Sequence, residues 1–209
     1  MNQLIDYLTI APPILLALTF HEYAHAYIAN RLGDPTAKLM GRLTLNPLVH
    51  LDLLGTAMLF IVHIGWAKPV PVNPINFRNP KRDLLWVSLA GPAANLLLAF
   101  LFGMGLRIIG IGYLVGDMSV VLKMIWYGMY INIILAVFNL FPIPPLDGSK
   151  ILMGLIPEKY EQQLEPLLKY GPTILIALIV FGFVTKNPIL WKMIEPFVKF
   201  FCLLFAGIG

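Results

Sequence analysis

The sequence predicts an all-α polytopic membrane protein, a bundle of about five or six membrane segments with a re-entrant segment and a small membrane-surface β-sheet. The 209 residues are 58% hydrophobic and only 12% charged, whereas soluble domains are about 25% charged. Two uncharged stretches, 84–106 and 124–146, have the roughly 20 apolar residues that a membrane helix needs. No Gly/Ser-rich or charge-dense linker divides the chain, so we expect one domain, 1–209.

A third apolar stretch, 7–29, is as long as these two but carries His21, Glu22 and His25 near its C-terminal end. Before it the only charged side chain is Asp6, and no small-residue cleavage site follows. We therefore expect it to remain as a membrane segment and not to act as a secretory signal. Titratable side chains are costly inside a membrane and usually functional, so this segment is the first candidate site.

Three weaker stretches leave open whether they cross the membrane. Residues 53–67 and 170–185 are short for a span, and 189–209 carries three charged residues, so it can span or lie at the interface. We expect the last two to form a C-terminal membrane hairpin at about 170–209. Residues 41–47 and 66–73 combine short alternating runs with prolines, which predicts the edge strands of the small sheet.

The distribution of basic residues predicts the topology. Residues 31–83 contain seven Lys and Arg residues against three aspartates, and basic loops stay cytoplasmic, so the N-terminus is expected outside and residue 30 inside. If 53–67 is re-entrant, Asp147 falls on the same side as His21 and His25. The net charge of +4 is spread over loops without a dense patch, so we expect no nucleic-acid partner.

The segment His21-Glu22-Tyr23-Ala24-His25 is the pattern HExxH. Residues four apart share one face of a helix, so both imidazoles can reach one metal ion while Glu22 stands at its rim. A catalytic zinc usually takes three protein ligands and leaves a fourth position for water. The sequence therefore predicts a metal site that needs one more ligand from elsewhere in the chain.

Asp147 is the first candidate for that ligand, because it follows a proline-rich stretch that cannot form a regular helix. The alternative is that Asp147 caps the helix that follows, and the residues alone do not decide between the two. His50 and Asp52 are another ligand source, although loop hydrogen bonding explains them more simply. We expect His63 and Cys202 to be structural.

The ordered set of HExxH, Gly91-Pro-Ala-Ala-Asn95, and Asn139 eight residues before Asp147-Gly148 resembles the site-2 protease family of intramembrane zinc metalloproteases. The resemblance covers residues 15–155 and is to the minimal bacterial branch, without a PDZ or nucleotide-sensing domain. It implies that His21, His25 and Asp147 bind one Zn2+ per chain and that Glu22 is the general base. It also implies that Asn139 helps to hold substrate or transition state, with Asn95 in a supporting role in substrate binding.

The expected function is hydrolysis of peptide bonds within or near transmembrane helices, by a catalytic core at about 5–155. The expected partners are single-span membrane protein substrates and the lipid bilayer of the cell membrane, and whether the chain forms a homo-oligomer is left open. The rival hypothesis is a membrane transporter or metal-handling protein that uses the same polar residues as an ion pathway. It lacks support from internal repeats, because the histidine segment has no second copy.

Overall fold

The computed structural model describes residues 3–62, 65–110 and 119–208. The α-helices in this part of the chain are α1 Gln3–Leu32, α2 Thr36–Leu39, α3 Leu53–Val62, α4 Pro80–Ile109, α5 Val120–Asn139, α6 Asp147–Leu155, α7 Glu161–Thr185 and α8 Ile189–Ala206. Short 3-10 helices lie at Pro47–His50, Pro74–Asn76 and Glu158–Tyr160.

Helices α4 and α5 lie at the two strongest predicted spans, and local signals set their ends. Helix α4 begins at Pro80, whose missing N–H and fixed φ suit the first helical position. The Asp83 carboxylate accepts the Asn79 N–H at 3.0 Å, which satisfies one free donor at this terminus. The helix ends at Gly110, where φ is +97°, a backbone conformation that glycine adopts without steric cost. The Ser119 hydroxyl caps the start of α5.

The hydrophobic core lies where α4, α5 and α8 pack together. Its buried side chains come from all three helices, and they are Ala99, Leu106, Leu122, Met129, Ile133, Val137, Ile194, Val198 and Ala206. Helix α1 packs against α4 and α5 on another side, and α6 packs against α4. Helix α4 is therefore the central element, in contact with α1, α5, α6 and α8.

Three segments of the described chain are long and apolar enough to cross a membrane, namely α4, α5 and Glu158–Thr185, which contains α7. Helix α1 is as long as α4, 30 residues, but it includes the titratable side chains of His21, Glu22 and His25. Helix α8 has 18 residues, and its buried side chains belong to the core with α4 and α5. Whether α1 and α8 cross the membrane stays a prediction.

The predicted membrane-surface β-sheet is wrong. The described residues contain no β-strand. Segment 41–47 forms no bridge, and segment 66–73 takes part only in one isolated antiparallel bridge, between Ala67 and Leu51. Pro69 and Pro71 have no N–H to donate to a ladder. The Val70 N–H between them donates to a side chain at 2.8 Å instead of to a neighbouring strand. Side chains thus take hydrogen bonds that a sheet would use, although the Lys68 N–H still donates to the His50 backbone carbonyl at 2.8 Å.

The segment 53–67 begins and ends at one end of the bundle. Helix α3 has 10 residues, which makes it about 15 Å long, half of the roughly 30 Å that a membrane core requires. The Leu51–Ala67 bridge holds the two ends of the segment side by side. His63, predicted to be structural, lies outside the described residues.

Candidate metal centre

Helix α1 presents His21 and His25 one turn apart, both more than nine-tenths buried. Their Nε2 atoms are 3.0 Å apart. The Asp147 Oδ2 atom lies 3.1 Å from Nε2 of His21 and 3.2 Å from Nε2 of His25. Two ligand atoms on a tetrahedral zinc are about 3.3 Å apart, because each is about 2.0–2.1 Å from the ion. The triangle of electron-pair donors therefore fits one metal ion, and no other such group of His, Cys, Asp or Glu occurs within the described residues.

The chain path after α5 delivers Asp147 to the histidines. Helix α5 ends at Asn139, residues 140–146 are not helical, and α6 starts at Asp147 itself. Prolines at 142, 144 and 145 account for the interruption, because proline cannot continue a helix. A side chain at position 148 would collide with the Leu140 carbonyl, which explains the glycine that follows Asp147.

Asp147 does not serve as a helix cap, the alternative that the sequence left open. The first turn of α6 is closed by Ser149, whose N–H and hydroxyl both donate to the Leu146 carbonyl, at 3.1 Å and 2.7 Å. The Asp147 carboxylate instead faces the two imidazoles. Its geometry favours the metal-ligand interpretation.

The Nδ1 atoms of both imidazoles, which point away from the triangle, donate to oxygen atoms of helix α4. Nδ1 of His21 lies 2.6 Å from Oδ1 of Asn95, and Nδ1 of His25 lies 2.7 Å from the Val87 carbonyl oxygen. Such a hydrogen bond places the proton on Nδ1 and leaves the Nε2 lone pair for a metal. Both histidines are thus oriented towards the centre of the triangle by helix α4.

Gly91 provides the space for the two imidazoles. A Cβ at this position would lie 2.5 Å from Nε2 of His25 and 2.6 Å from Cε1 of His21. The Gly91-Pro-Ala-Ala-Asn95 motif therefore serves the histidines at both ends, because Gly91 admits their rings and Asn95 accepts the His21 proton.

Glu22 lies next to the triangle in the wall of a cavity of about 140 Å³. Its Oε2 atom accepts the Val70 N–H at 2.8 Å, so the carboxylate stays outside the triangle and faces the same cavity as the three ligand atoms. Asn139 also lines this cavity, and its amide nitrogen donates to the Leu135 carbonyl of its own helix at 2.9 Å. The structure therefore brings both residues to the site.

Side-chain contacts at Lys68 and Asn73 fix the two ends of the segment 68–73, which carries Val70. At one end, Nη2 of Arg42 donates to the Lys68 carbonyl at 2.6 Å. At the other end, the Asp34 carboxylate accepts the Asn73 N–H at 2.7 Å. Burial opposes ionisation of Asp34, but hydrogen bonds from Thr36, Asn76 and Asn73 outweigh it and hold its pKa below the usual value. This segment forms a wall of the cavity.

Asn95, for which the resemblance implied a supporting role in substrate binding, lies away from the cavity. It is fully buried behind His21, and its amide nitrogen donates to the Ala17 carbonyl at 3.0 Å and to Oδ1 of Asn132 at 2.7 Å. All of its polar atoms face protein groups. In this arrangement Asn95 orients His21 and does not line the cavity.

Two residues of the site were not predicted. Ser88 lines the cavity, is buried, and has an Oγ atom without a hydrogen-bond partner in the part of the chain that the structure describes. Asn132 is fully buried in α5 against Asn95. The one signal available for Asn132 was its amide within the apolar stretch 124–146, since polar groups in membrane segments are usually functional.

His50 and Asp52 do not join the metal group. Nε2 of His50 donates to the Thr44 carbonyl at 2.9 Å, and Oδ1 of Asp52 accepts the Gly55 N–H at 2.7 Å at the start of α3. Both side chains therefore hold the loop and the short helix α3, as the simpler interpretation proposed.

Comparison with known proteins places this chain in a family. The pattern of Peptidase family M50 matches residues 107–182. The chain is 37% identical over 213 residues to YwhC of Bacillus subtilis (strain 168), named as a candidate zinc metalloprotease, with 97% of this chain and 94% of YwhC covered. No solved structure matches the chain.

Two further relatives are longer than this chain. Rip2 of Mycolicibacterium smegmatis (strain ATCC 700084 / mc(2)155), named as a candidate zinc metalloprotease, is 31% identical, with 79% of this chain and 64% of Rip2 covered. Zinc metalloprotease MJ0392 of Methanocaldococcus jannaschii is 24% identical, with 96% of this chain and 50% of MJ0392 covered. Together with the apolar helices, these matches show that the chain is a membrane protein and a metalloprotease that belongs to peptidase family M50, the family of the site-2 proteases.

Proposed function

We propose that this protein is an intramembrane zinc endopeptidase that hydrolyses peptide bonds within or near the transmembrane helices of single-span membrane proteins. The observation that carries the proposal is the triangle of His21, His25 and Asp147, whose ligand atoms are 3.0–3.2 Å apart beside the Glu22 carboxylate. Two imidazoles and one carboxylate are a ligand set of catalytic zinc sites. The names of the relatives YwhC, Rip2 and MJ0392 support zinc as the metal.

The position of the site supports a membrane substrate. Its three proposed ligands come from α1 and from the start of α6. The helices α4 and α5 pack against α1, and both are apolar enough to span a membrane. A peptide bond of a helical substrate is engaged in backbone hydrogen bonds, so it must unwind locally before it can be cleaved. The small cavity beside Glu22 suits an unwound stretch of chain better than an intact helix of about 10–12 Å diameter.

Each residue of the site has one proposed task. His21, His25 and Asp147 would hold a zinc ion, which would act as a Lewis acid towards the substrate carbonyl and a water molecule. Glu22 accepts a proton from the attacking water and passes it to the leaving amine as the C–N bond breaks. Asn139, in the cavity wall, holds the substrate carbonyl region. The Val70 N–H keeps one oxygen of the Glu22 carboxylate at the edge of the cavity.

The charge distribution supports a site towards the cytoplasmic side of the cell membrane, with the N-terminus outside. Seven basic residues lie between the end of α1 and the first turn of α4, at the end of the bundle that holds the histidines, namely Arg31, Lys38, Arg42, Lys68, Arg78, Lys81 and Arg82. Positive loops remain on the cytoplasmic side of membranes. Labelling, in intact cells, of one cysteine placed at residue 2 or at residue 38 of a Cys202→Ser variant tests this orientation.

The test of substrate class uses the purified, zinc-loaded protein and a panel of single-span helices in proteoliposomes, with products read by mass. We expect cleavage within or near the membrane helix of at least one substrate. The matched control uses soluble peptides that keep the flanking sequences of the same substrates but have charged residues in place of the apolar core. Cleavage of the soluble peptides alone would refute the intramembrane part of the proposal.

The same proteoliposomes test the rival hypothesis of a transporter. A metal flux that survives in the Glu22→Gln variant, without cleavage by the unaltered protein, would favour an ion pathway over a protease.

A further inference from the structure

A row of hydrogen-bonded side chains crosses the bundle behind His21. It starts at the Gly128 carbonyl in α5, which accepts from Nδ2 of Asn132 at 2.7 Å. Oδ1 of Asn132 accepts from Nδ2 of Asn95 in α4 at 2.7 Å. Oδ1 of Asn95 lies 2.6 Å from Nδ1 of His21 in α1. Three helices are therefore joined by one row of polar contacts that ends at a metal ligand.

Each bond in this row fixes the direction of the next. A backbone carbonyl can only accept, so the amide nitrogen of Asn132 must face Gly128 and its oxygen must face Asn95. Asn95 then turns its nitrogen towards Asn132 and towards the Ala17 carbonyl, 3.0 Å away. Its oxygen is left to face His21, where it can only accept the proton on Nδ1. The Nε2 atom of His21 keeps its lone pair for the metal.

The surroundings make any other arrangement costly. Asn95 and Asn132 are both 0% exposed, and an amide without a partner is strongly unfavourable in an apolar interior. The helices α4 and α5 approach closely near Gly128, as shown by the 2.8 Å that would separate a Cβ at this position from the Phe102 ring. This close packing keeps Asn132 within reach of Asn95.

We infer that Asn132 is a positioning residue of the zinc centre, which fixes the orientation of Asn95 and through it the metal-binding form of His21. Asn132 does not line the cavity, so it has no contact with substrate. The inference rests on the ligand set of the proposed function. It adds a residue of α5 that acts on zinc affinity from two side chains away.

The experiment measures the affinity of the purified full-length protein for zinc by competition with a chelator. Loss of an outer hydrogen-bond partner of a ligating histidine typically weakens metal binding about 10- to 100-fold. We expect a loss in this range for Asn95→Ala and a loss of about tenfold, at its lower end, for Asn132→Ala. Because Asn132 acts through Asn95, the double variant should bind zinc no more weakly than Asn95→Ala alone.

The control is Met129→Ala, which removes a side chain of the same helix that is also 0% exposed. It should lower the melting temperature but leave the zinc affinity of the folded protein unchanged. Asn132→Ser can still bond the Gly128 carbonyl and is too short to reach Asn95, so it gives the same loss if the alanine variant does not fold.

Two results would overturn the inference. One is unchanged zinc affinity in Asn132→Ala and Asn132→Ser. The other is a double variant in which the two losses multiply, because independent effects exclude action through Asn95. His21→Ala serves as the reference, since wild-type affinity in that variant would overturn the ligand set itself together with this inference. Failure of the inference alone is therefore distinct from failure of the proposed function.

Discussion

Helices α5 and α7 are alike in hydropathy but differ in how they pack. In their most apolar 18-residue windows, 39% of α5 is buried inside the protein, against 11% of the segment that contains α7. The buried positions of α5 include small and polar residues, among them Gly128, Asn132 and Ala136, whereas those of α7 are only Gly171 and Leu175.

Hydropathy therefore identifies a helix that suits lipid but does not indicate which helices pack against each other. Lipid tails are as apolar as leucine, so membrane helices associate where small residues allow close approach and where polar groups bond across the contact. Helix α5 has both features and lies against the metal centre. Helix α7 has few buried small residues and no buried polar ones, and most of its surface does not contact the rest of the protein.

The largest expected effect is a loss of activity when a buried carboxylate of the site is replaced, compared with no loss when an exposed carboxylate of α7 is replaced. Glu22→Gln keeps the volume of the side chain but removes the proposed base, so cleavage of a membrane substrate should fall by about 10²- to 10⁴-fold. Elemental analysis should still find one zinc per chain. Glu165→Gln, on the exposed surface of α7, should retain full activity. Equal activity in the two variants would remove Glu22 from the mechanism.

The next effect concerns the space that α4 leaves for the histidines. Gly91→Ala places a methyl group 2.5 Å from Nε2 of His25, so the imidazoles must move and the zinc content of the purified protein should fall well below one per chain. Gly105→Ala, in the same helix, meets only Ile125 at 3.9 Å and should retain zinc. Full zinc content in Gly91→Ala would contradict the placement of the metal between these rings.

A matched pair of glycines tests the comparison of α5 and α7 directly. In Gly128→Ala the new methyl group lies 2.8 Å from the Phe102 ring, and such overpacking typically costs about 1–3 kcal/mol. In Gly182→Ala of α7 the nearest atom is 3.4 Å away, so the higher helix propensity of alanine should stabilise the protein by about 0.5–1 kcal/mol. Thermal unfolding in detergent should show shifts of opposite sign. Shifts of the same sign would mean that the two helices pack alike.

The smallest expected effect comes from deleting one methyl group from each helix. Ile133→Val, at a fully buried position of α5, should lower stability by about 0.5–1.5 kcal/mol. Ile176→Val, at a position of α7 that is 62% exposed, should change it by less than about 0.5 kcal/mol. Denaturant unfolding of both variants in the same detergent measures the difference, and equal losses would argue that α7 is buried in the folded protein.

Local patterns were sufficient to predict part of the site. The spacing of His21 and His25 fixes their common face on any helix, so the pair was predictable from α1 alone. The long uncharged stretches gave α4 and α5 because a membrane helix needs little beyond length and hydropathy. The prolines before Asp147 indicated a break, and α5 indeed ends seven residues before the predicted end of its span.

Other features of the fold and the site depend on hydrogen bonds between residues that are far apart in the sequence. The prediction of a β-sheet failed because Glu22 and Arg42 bond the backbone at Val70 and Lys68. Sequence periodicity does not contain that information, since the partners lie 48 and 26 residues away. For Asn95 the resemblance implied a supporting role in substrate binding, and only the packing of α1, α4 and α5 shows that it lies behind His21.

The amino-acid sequence was sufficient to predict apolar helices and a pair of imidazoles on one helix face, because helical spacing and hydropathy act over a few turns. The packing of the helices was needed to show that Asp147 completes the triangle and does not cap α6, and that Asn95 and Asn132 support His21. The physical reason is that a hydrogen bond or a metal ligand is selected by distance and direction in space, and residues 122 positions apart acquire these only when the helices pack.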